Sequence, residues 1–406
     1  MNAIARVQGT VKNYDWGGYS FIPSLLQVEN PNRIPYAEYW LGIHPLADAN
    51  LEFNDGTTIG LREFIDSDPE KWLGKKVYKQ FGGFPYLLKT LDVRDMLSIQ
   101  VHPSKEEARA GFKRENALGI ATDAPNRNYR DENHKPELLA ALGEFWLLHG
   151  FKSEKKVKET LSSVKELSSF LPVFNKGSYR ELYTQVMLMP QGEINKLLAP
   201  LLDRILPAYH DGKLSKTDED FWAARAADTF VHDHSIDRGI ISIYLFNLLQ
   251  LKKGEAVYQA AGVPHAYLEG QNVEIMSNSD NVLRGGLTRK HMDAGELLKH
   301  VRFEATDYKI LTGEKLKGER IYRTNAPDFE LGAYELEPGK EAGFTASTAE
   351  MLLLTEGKLE IAGGDETILL QPGSPAALAL PGHPVRLRAM EKTTVYRASV
   401  PIHNRE

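Results

Sequence analysis

The spacing of apolar residues changes period twice along these 406 residues, and that alternation of β-type and helical patterning restricts the chain to a few architectures. Up to about residue 150, runs such as "PYLLKTLDV" and "MLSIQVHP" are cut by turn chemistry in "FNDGTT" and "FGGFP". This reads as an all-β layer, a sandwich or small barrel. From about 152 to 250 the spacing is helical. "SEKKVKETLSSVKELSSFL" places Val157, Leu161, Val164, Leu167 and Leu171 on one face, with Ser153 and Lys156 near the start. "QGEINKLLAPLLDRIL" does the same with Ile194, Leu197, Leu198, Leu201, Leu202 and Ile205, and "DEDFWAARAADTFV" reads as a further helix. β-type signals then return, with Gly254, Gly262 and Gly270 spacing short strands, and the last hundred residues are again short apolar runs cut by Gly and Pro.

A chain of this length exceeds one compact core. The expected organisation is a β-sandwich from residues 1–151 and 238–306, a helical block inserted at 152–237, and a second sandwich at 307–406.

A hydrophobic fraction of 42% and a charged fraction of 26% are those of a soluble globular protein. The net charge of −6 argues against nucleic acid or an anionic membrane as main partner, while leaving room for a local basic pocket that takes a small anion. With no cysteine, disulfides, thiolate nucleophiles and Cys-type zinc sites are excluded. Any metal must be held by His, carboxylate, amide or water. No segment approaches about 18 uninterrupted apolar residues, and "MNAIARVQGTVKNYDWGG" contains no signal-like apolar core, so the cytoplasm is the expected location. Oligomeric state is left open, and a monomer is compatible with the pattern.

One stretch, "LDVRDMLSIQVHPSKEEA", carries an unusual polar face. An extended backbone puts Ser98, Gln100 and His102 on one side and Ile99 and Val101 on the other, and Pro103 ends the strand. Such a face normally meets solvent. Two downstream residues offer it partners. Glu137 opens an apolar run in "NYRDENHKPELLAAL", and His265 follows Val263 and Pro264 between glycines in "GEAVYQAAGVPHAYLEG". Together the four residues supply one amide oxygen, two imidazole nitrogens and a carboxylate. That set fits Zn²⁺ with an open position for water or substrate, and fits Fe²⁺ or Mn²⁺ less specifically.

The motifs "LSIQVHP", "NHKPEL", "GVPHAYLEG" and "EIMSNSDNVLRGGLTRK", with "YDWGG" and "YAEYWLGIHP" upstream, together resemble the type I phosphomannose isomerases over roughly residues 10 to 300. The resemblance implies a mainly β protein: a cupin catalytic domain interrupted by a helical domain, then a second cupin-like domain. It implies interconversion of mannose 6-phosphate and fructose 6-phosphate through a cis-enediol, with one Zn²⁺ per chain on Gln100, His102, Glu137 and His265. The family's active-site arginine falls on Arg284, and its motif lysines fall on Lys135 and Lys290. "GLTRK" departs from the family by carrying Arg289 where proline is usual, which adds a charge that could assist an anionic substrate.

Proton transfer is expected from Lys135 or Glu274, the latter also able to orient a ligand from a neighbouring strand. With no Walker-type glycine loop, phosphate falls to Ser98, Lys290 and Arg284. Trp16, and Trp40 near Glu38, read either as sugar platforms or as core. The C-terminal unit holds only His383 and His403 and none of the paired ligand motifs, so it is expected to keep a sandwich without metal. Two other classes stay open. A metal-dependent cupin oxygenase would prefer two His and one carboxylate, and a non-catalytic sugar-binding cupin would be marked by loss of Glu137, His265 or Arg284, none of which is lost.

Overall fold

The computed structural model describes residues 3–232 and 235–402, so His403 lies outside the described residues. The strands form a nine-stranded, a ten-stranded and a four-stranded sheet. The ten-stranded sheet folds over on itself and makes both layers of the first sandwich.

One layer runs Thr10–Lys12, Glu38–Gly42, Tyr86–Val93, the C-terminal part of His265–Ser277, Glu137–Ala141 and Ala256–Gln259. The other runs Phe246–Leu251, Phe145–Phe151, the N-terminal part of His265–Ser277, Gln100–Val101 and Leu283–Arg284. The strand His265–Ser277 therefore belongs to both. Its partner changes at Gly270, where φ is +123° and a Cβ would meet the Glu144 carbonyl at 2.5 Å, so only glycine turns the corner. The short strands expected around Gly254, Gly262 and Gly270 are corrected here: Gly270 lies inside one 13-residue strand. The neighbouring strand expected for Glu274 is the same strand that His265 begins.

Packing proceeds in layers. The helices from Glu154 to Leu245 cover one sheet through Ile99, Val101, Leu148 and Leu268. Leu91, Leu139, Leu147 and Tyr267 fill the first sandwich. Its second sheet buries Leu41, Leu88, Leu138 and Ile275 against Leu331, Met351, Leu378 and Tyr396 of the nine-stranded sheet. That sheet packs its other face on the four-stranded sheet through Leu352, Ile361, Leu370 and Leu387. The N-terminal strand Ile4–Gln8 sits in the nine-stranded sheet, with Ile4 opposite Ala379.

Helix Gln191–His210 buries Ile194, Leu198, Leu201, Leu202 and Ile205, as its spacing requires. The helix expected across "SEKKVKETLSSVKELSSFL" is broken: Glu154–Ser163, capped by Ser153, ends at Val164, whose ψ of 93° is extended. A 3₁₀ turn, Lys165–Phe170, follows. The first 150 residues also contain helices that β-type reading passed over, among them Lys105–Ala117. No helix among the described residues is long and apolar enough to cross a membrane.

Candidate metal centre and its cavity

All four expected ligands begin or adjoin strands of the first sandwich. Gln100 and Val101 form a two-residue strand, and His102 follows directly. Glu137 is the first residue of its strand and His265 the first of its own. Gly262, at φ +79°, turns the chain just before His265 and donates its N–H to the His102 carbonyl at 2.9 Å, tying the two histidine segments together.

His102, Glu137 and His265 are 0%, 3% and 2% exposed, and their ligand atoms lie within 4.8 Å of one another. His102 Nε2 is 3.4 Å from Glu137 Oε1, and His265 Nε2 is 3.3 Å from Oε2. His102 Nδ1 stands 2.8 Å from the Asn281 carbonyl and His265 Nδ1 3.0 Å from that of Val263. A carbonyl only accepts, so each Nδ1 carries the hydrogen and each Nε2 presents a bare lone pair. Both Nε2 atoms are buried without a hydrogen-bond partner, and two lone pairs aimed at carboxylate oxygens repel unless a cation stands among them. Two ligands bound to a tetrahedral zinc at about 2.0–2.1 Å are about 3.4 Å apart, the spacing seen here. The residues present fit a divalent metal.

Burial raises the Glu137 carboxyl, but Lys135 and the histidines outweigh it and hold it well below the usual carboxylate range. Burial lowers His102 to about 4, which keeps its imidazole neutral as a ligand must be. Gln100 stands directly opposite both His265 and Arg284 in the ladder. Opposed residues share a face, so all three side chains lie in one row.

Above this centre opens a cavity of about 480 Å³, lined among others by Ser98, Gln100, Lys135, Arg284 and Lys290. Glu274 does not line it. That carboxyl is buried beneath, accepting from the Tyr267 hydroxyl at 2.6 Å and standing 3.6 Å from Lys89 Nζ. Burial first, then the Glu137 charge, raise it to about 7. Lys135 Nζ lies 3.0 Å from Glu137 Oε1, on the face expected for it. Arg284 has no carboxylate partner among the described residues, and burial with the neighbouring Arg130 lowers its pKa. Arg289 lines the mouth of the cavity, its guanidinium 3.4 Å from the Thr229 carbonyl.

Comparison with known proteins gives this arrangement a family. A model described as "Phosphomannose isomerase type I, catalytic domain" matches residues 4–154. The mannose-6-phosphate isomerase of Escherichia coli (strain K12) is 35% identical over 385 residues, covering 93% of this chain and 95% of that protein. The chain belongs to the type I phosphomannose isomerases. The mannose-6-phosphate isomerase of Rattus norvegicus is 32% identical over 86% of both chains. A crystal structure of the Salmonella typhimurium mannose 6-phosphate isomerase, bound to fructose 6-phosphate and zinc, superimposes with a TM-score of 0.87 at 30% identity, covering 98% of this chain and all of that one.

Sequence reading missed Lys89, which this family member places in the cavity wall. It stands on the central strand Tyr86–Val93, opposite Glu274 in the ladder, with Nζ 3.4 Å from Glu38 Oε2. Burial lowers a lysine, but here Glu38 and Glu274 outweigh it and raise Lys89 above its ordinary value. The available signal was a lone lysine inside "PYLLKTLDV". Trp16 and Trp40 both reach the cavity; the Trp40 indole N–H bonds Glu38 and its ring lies under the Lys89 ammonium at 4.9 Å. Asn281 was missed as well. Besides its carbonyl on His102, its amide donates to the Asp131 and Asn133 carbonyls at 2.9 and 2.8 Å and accepts from the Arg130 N–H at 2.7 Å, gripping the loop that leads to Lys135 and Glu137.

Proposed function

We infer that the chain is a zinc-dependent isomerase interconverting mannose 6-phosphate and fructose 6-phosphate. The observation that carries this reading is the pair of bare, buried imidazole nitrogens set against one carboxylate beneath a cationic cavity. Gln100, His102, Glu137 and His265 would hold the zinc, which when bound supplies a Lewis acid for the sugar oxygens. Family membership and the intact donor set favour this over an oxygenase or a silent sugar binder.

The reaction moves a proton between C2 and C1 of the opened sugar. Lys135 lines the cavity, and that access supports it over the buried Glu274 as the group that carries the proton. Glu38, with Glu274 beside it, holds Lys89 as a fixed ammonium on the cavity wall, a donor for enediol oxygens as they gain negative charge. Arg284, free of any carboxylate among the described residues, can pair with an anion bidentately, and Ser98 and Lys290 flank it on the cavity wall as phosphate contacts. The test is a coupled assay with and without chelator. Turnover is expected to vanish on chelation and return with Zn²⁺; full activity in metal-stripped protein would overturn the reading.

A further inference from the structure

The segment between Arg284 and Lys290 adopts a backbone that its own residues do not favour. Leu287 has φ +54°, and of the four non-glycine residues with positive φ among the described residues it is the one that is buried. A branched side chain rarely takes this conformation, so its surroundings must impose it. From one side the segment is pinned to the metal-site strand: Ile99 N–H donates to the Gly286 carbonyl at 3.0 Å, and Gly285 N–H to the Ile99 carbonyl at 2.9 Å. From the other side a single carboxylate holds it. Asp237 Oδ1 accepts the N–H of Leu287 at 2.8 Å and of Gly239 at 2.7 Å, and Oδ2 accepts that of Thr288 at 3.2 Å.

Two glycines let the backbones meet there. A Cβ on Gly286 would lie 2.5 Å from Gly239 Cα, and a Cβ on Gly239 would lie 2.7 Å from the Leu287 nitrogen. Asp237 stands just before the helix Gly239–Leu245, which packs among the helices covering the sandwich. Leu287, Thr288, Arg289 and Lys290 all line the cavity.

We propose that Asp237 is a positioning residue for substrate: it clamps the Leu287–Thr288 turn to the helical block and so fixes where Arg284 and Lys290 present their cations. The substrate part of this proposal rests on the isomerase reading; the clamp itself does not. The helical block thereby becomes one jaw of the binding site and not only a cover for the apolar sheet.

The experiment measures three quantities on full-length Asp237→Ala and Asp237→Asn: zinc content, amide exchange across residues 285–290, and kcat and KM for mannose 6-phosphate. In Asp237→Ala, zinc is expected to stay at the wild-type level, exchange at Leu287 and Thr288 to quicken at least tenfold, and KM to rise about tenfold with a smaller fall in kcat. Asp237→Asn keeps the oxygen that serves Gly239 and Leu287 but turns N–H groups toward Thr288, so it should fall between. A folded Asp237→Ala with wild-type exchange, or with wild-type KM, overturns the proposal. Should that variant not fold, Asp237→Asn and Gly286→Ala probe the same contact from its two sides and are read by the same criteria. A wild-type protein without isomerase activity would sink the functional reading alone, and exchange would still decide the clamp.

Discussion

Glu274 is a carboxyl whose ordinary pKa of 4.5 is pushed to about 7. A folded-state pKa above the unfolded one means that the folded protein binds the extra proton. Its contribution to stability is full below about pH 4.5 and is lost as pH rises through about 7. For metal-stripped protein we expect up to ~3 kcal/mol of stability to disappear over that window, and Glu274→Gln to remove this part of the slope. Urea unfolding of both proteins from pH 5 to 8 measures it, and equal slopes would refute the assignment. Neutral His102 leads to a second expectation. His102→Ala should fall far below one zinc per chain and lose isomerase activity by three orders of magnitude or more, with both followed alongside thermal melting to separate metal loss from unfolding. At this scale much of the centre was legible: alternation set Gln100 and His102 on one face, and the family motifs joined to them Glu137 and His265, whose ligand atoms the fold brings together with that of His102. Lys89 was not read: in "PYLLKTLDV" it shares a strand face with the apolar Leu87, Leu91 and Val93, and nothing in that stretch supplies its carboxylate partners, Glu38 and Glu274, which arrive from the two neighbouring strands.

Elements deliver the ligands by the way they start and stop. The helix Lys105–Ala117 follows His102 and Pro103 closely and opens with a capping box, in which Ser104 Oγ accepts the Glu107 N–H and the Glu107 carboxylate accepts the Ser104 N–H. Ser104→Ala is expected to cost about 1 kcal/mol in chemical denaturation while leaving zinc content unchanged. The signal was present in "HPSKEEA", but reading the stretch for its polar strand face left the S-x-x-E box unused. Asn281 acts across elements: it orients the His102 ring through its carbonyl and holds the Arg130–Asn133 loop through its side chain. Asn281→Ala keeps the carbonyl but frees the loop that carries Lys135 and Glu137. Zinc affinity, read by competition with a chelator, should drop about 10- to 100-fold. Such a role cannot be read in sequence, since Asn281 meets its partners some 150 residues away.

The whole molecule is held by a core that belongs to neither sandwich alone. Tyr86, at the start of the strand that carries Lys89, sends its hydroxyl into the nine-stranded sheet, 3.1 Å from the Ala349 carbonyl and 3.0 Å from that of Ala398. Around it, Leu41, Leu88 and Ile275 pack against Met351, Leu353 and Leu378. Local patterning revealed two blocks of strands but not this shared layer, nor the pairing of Ile4 with Ala379, because ladder partners more than 370 residues apart leave no periodic trace in either segment. Separating the halves would expose that core and break the Ile4–Gln8 ladder, so they are expected to unfold together. Of the five tryptophans, those at 16, 40, 146 and 222 lie in the first sandwich and helical block, and Trp72 stacks on Phe64 against the shared core, so fluorescence is weighted toward that half while far-UV circular dichroism reports the entire chain. The two unfolding curves should coincide in the wild type. Tyr86→Phe removes the one hydroxyl hydrogen that the two carbonyls share and the oxygen that accepts the Met351 N–H at 3.3 Å, and should shift both curves together by about 1–3 kcal/mol, whereas a shift confined to one probe would mean that the sandwiches unfold separately.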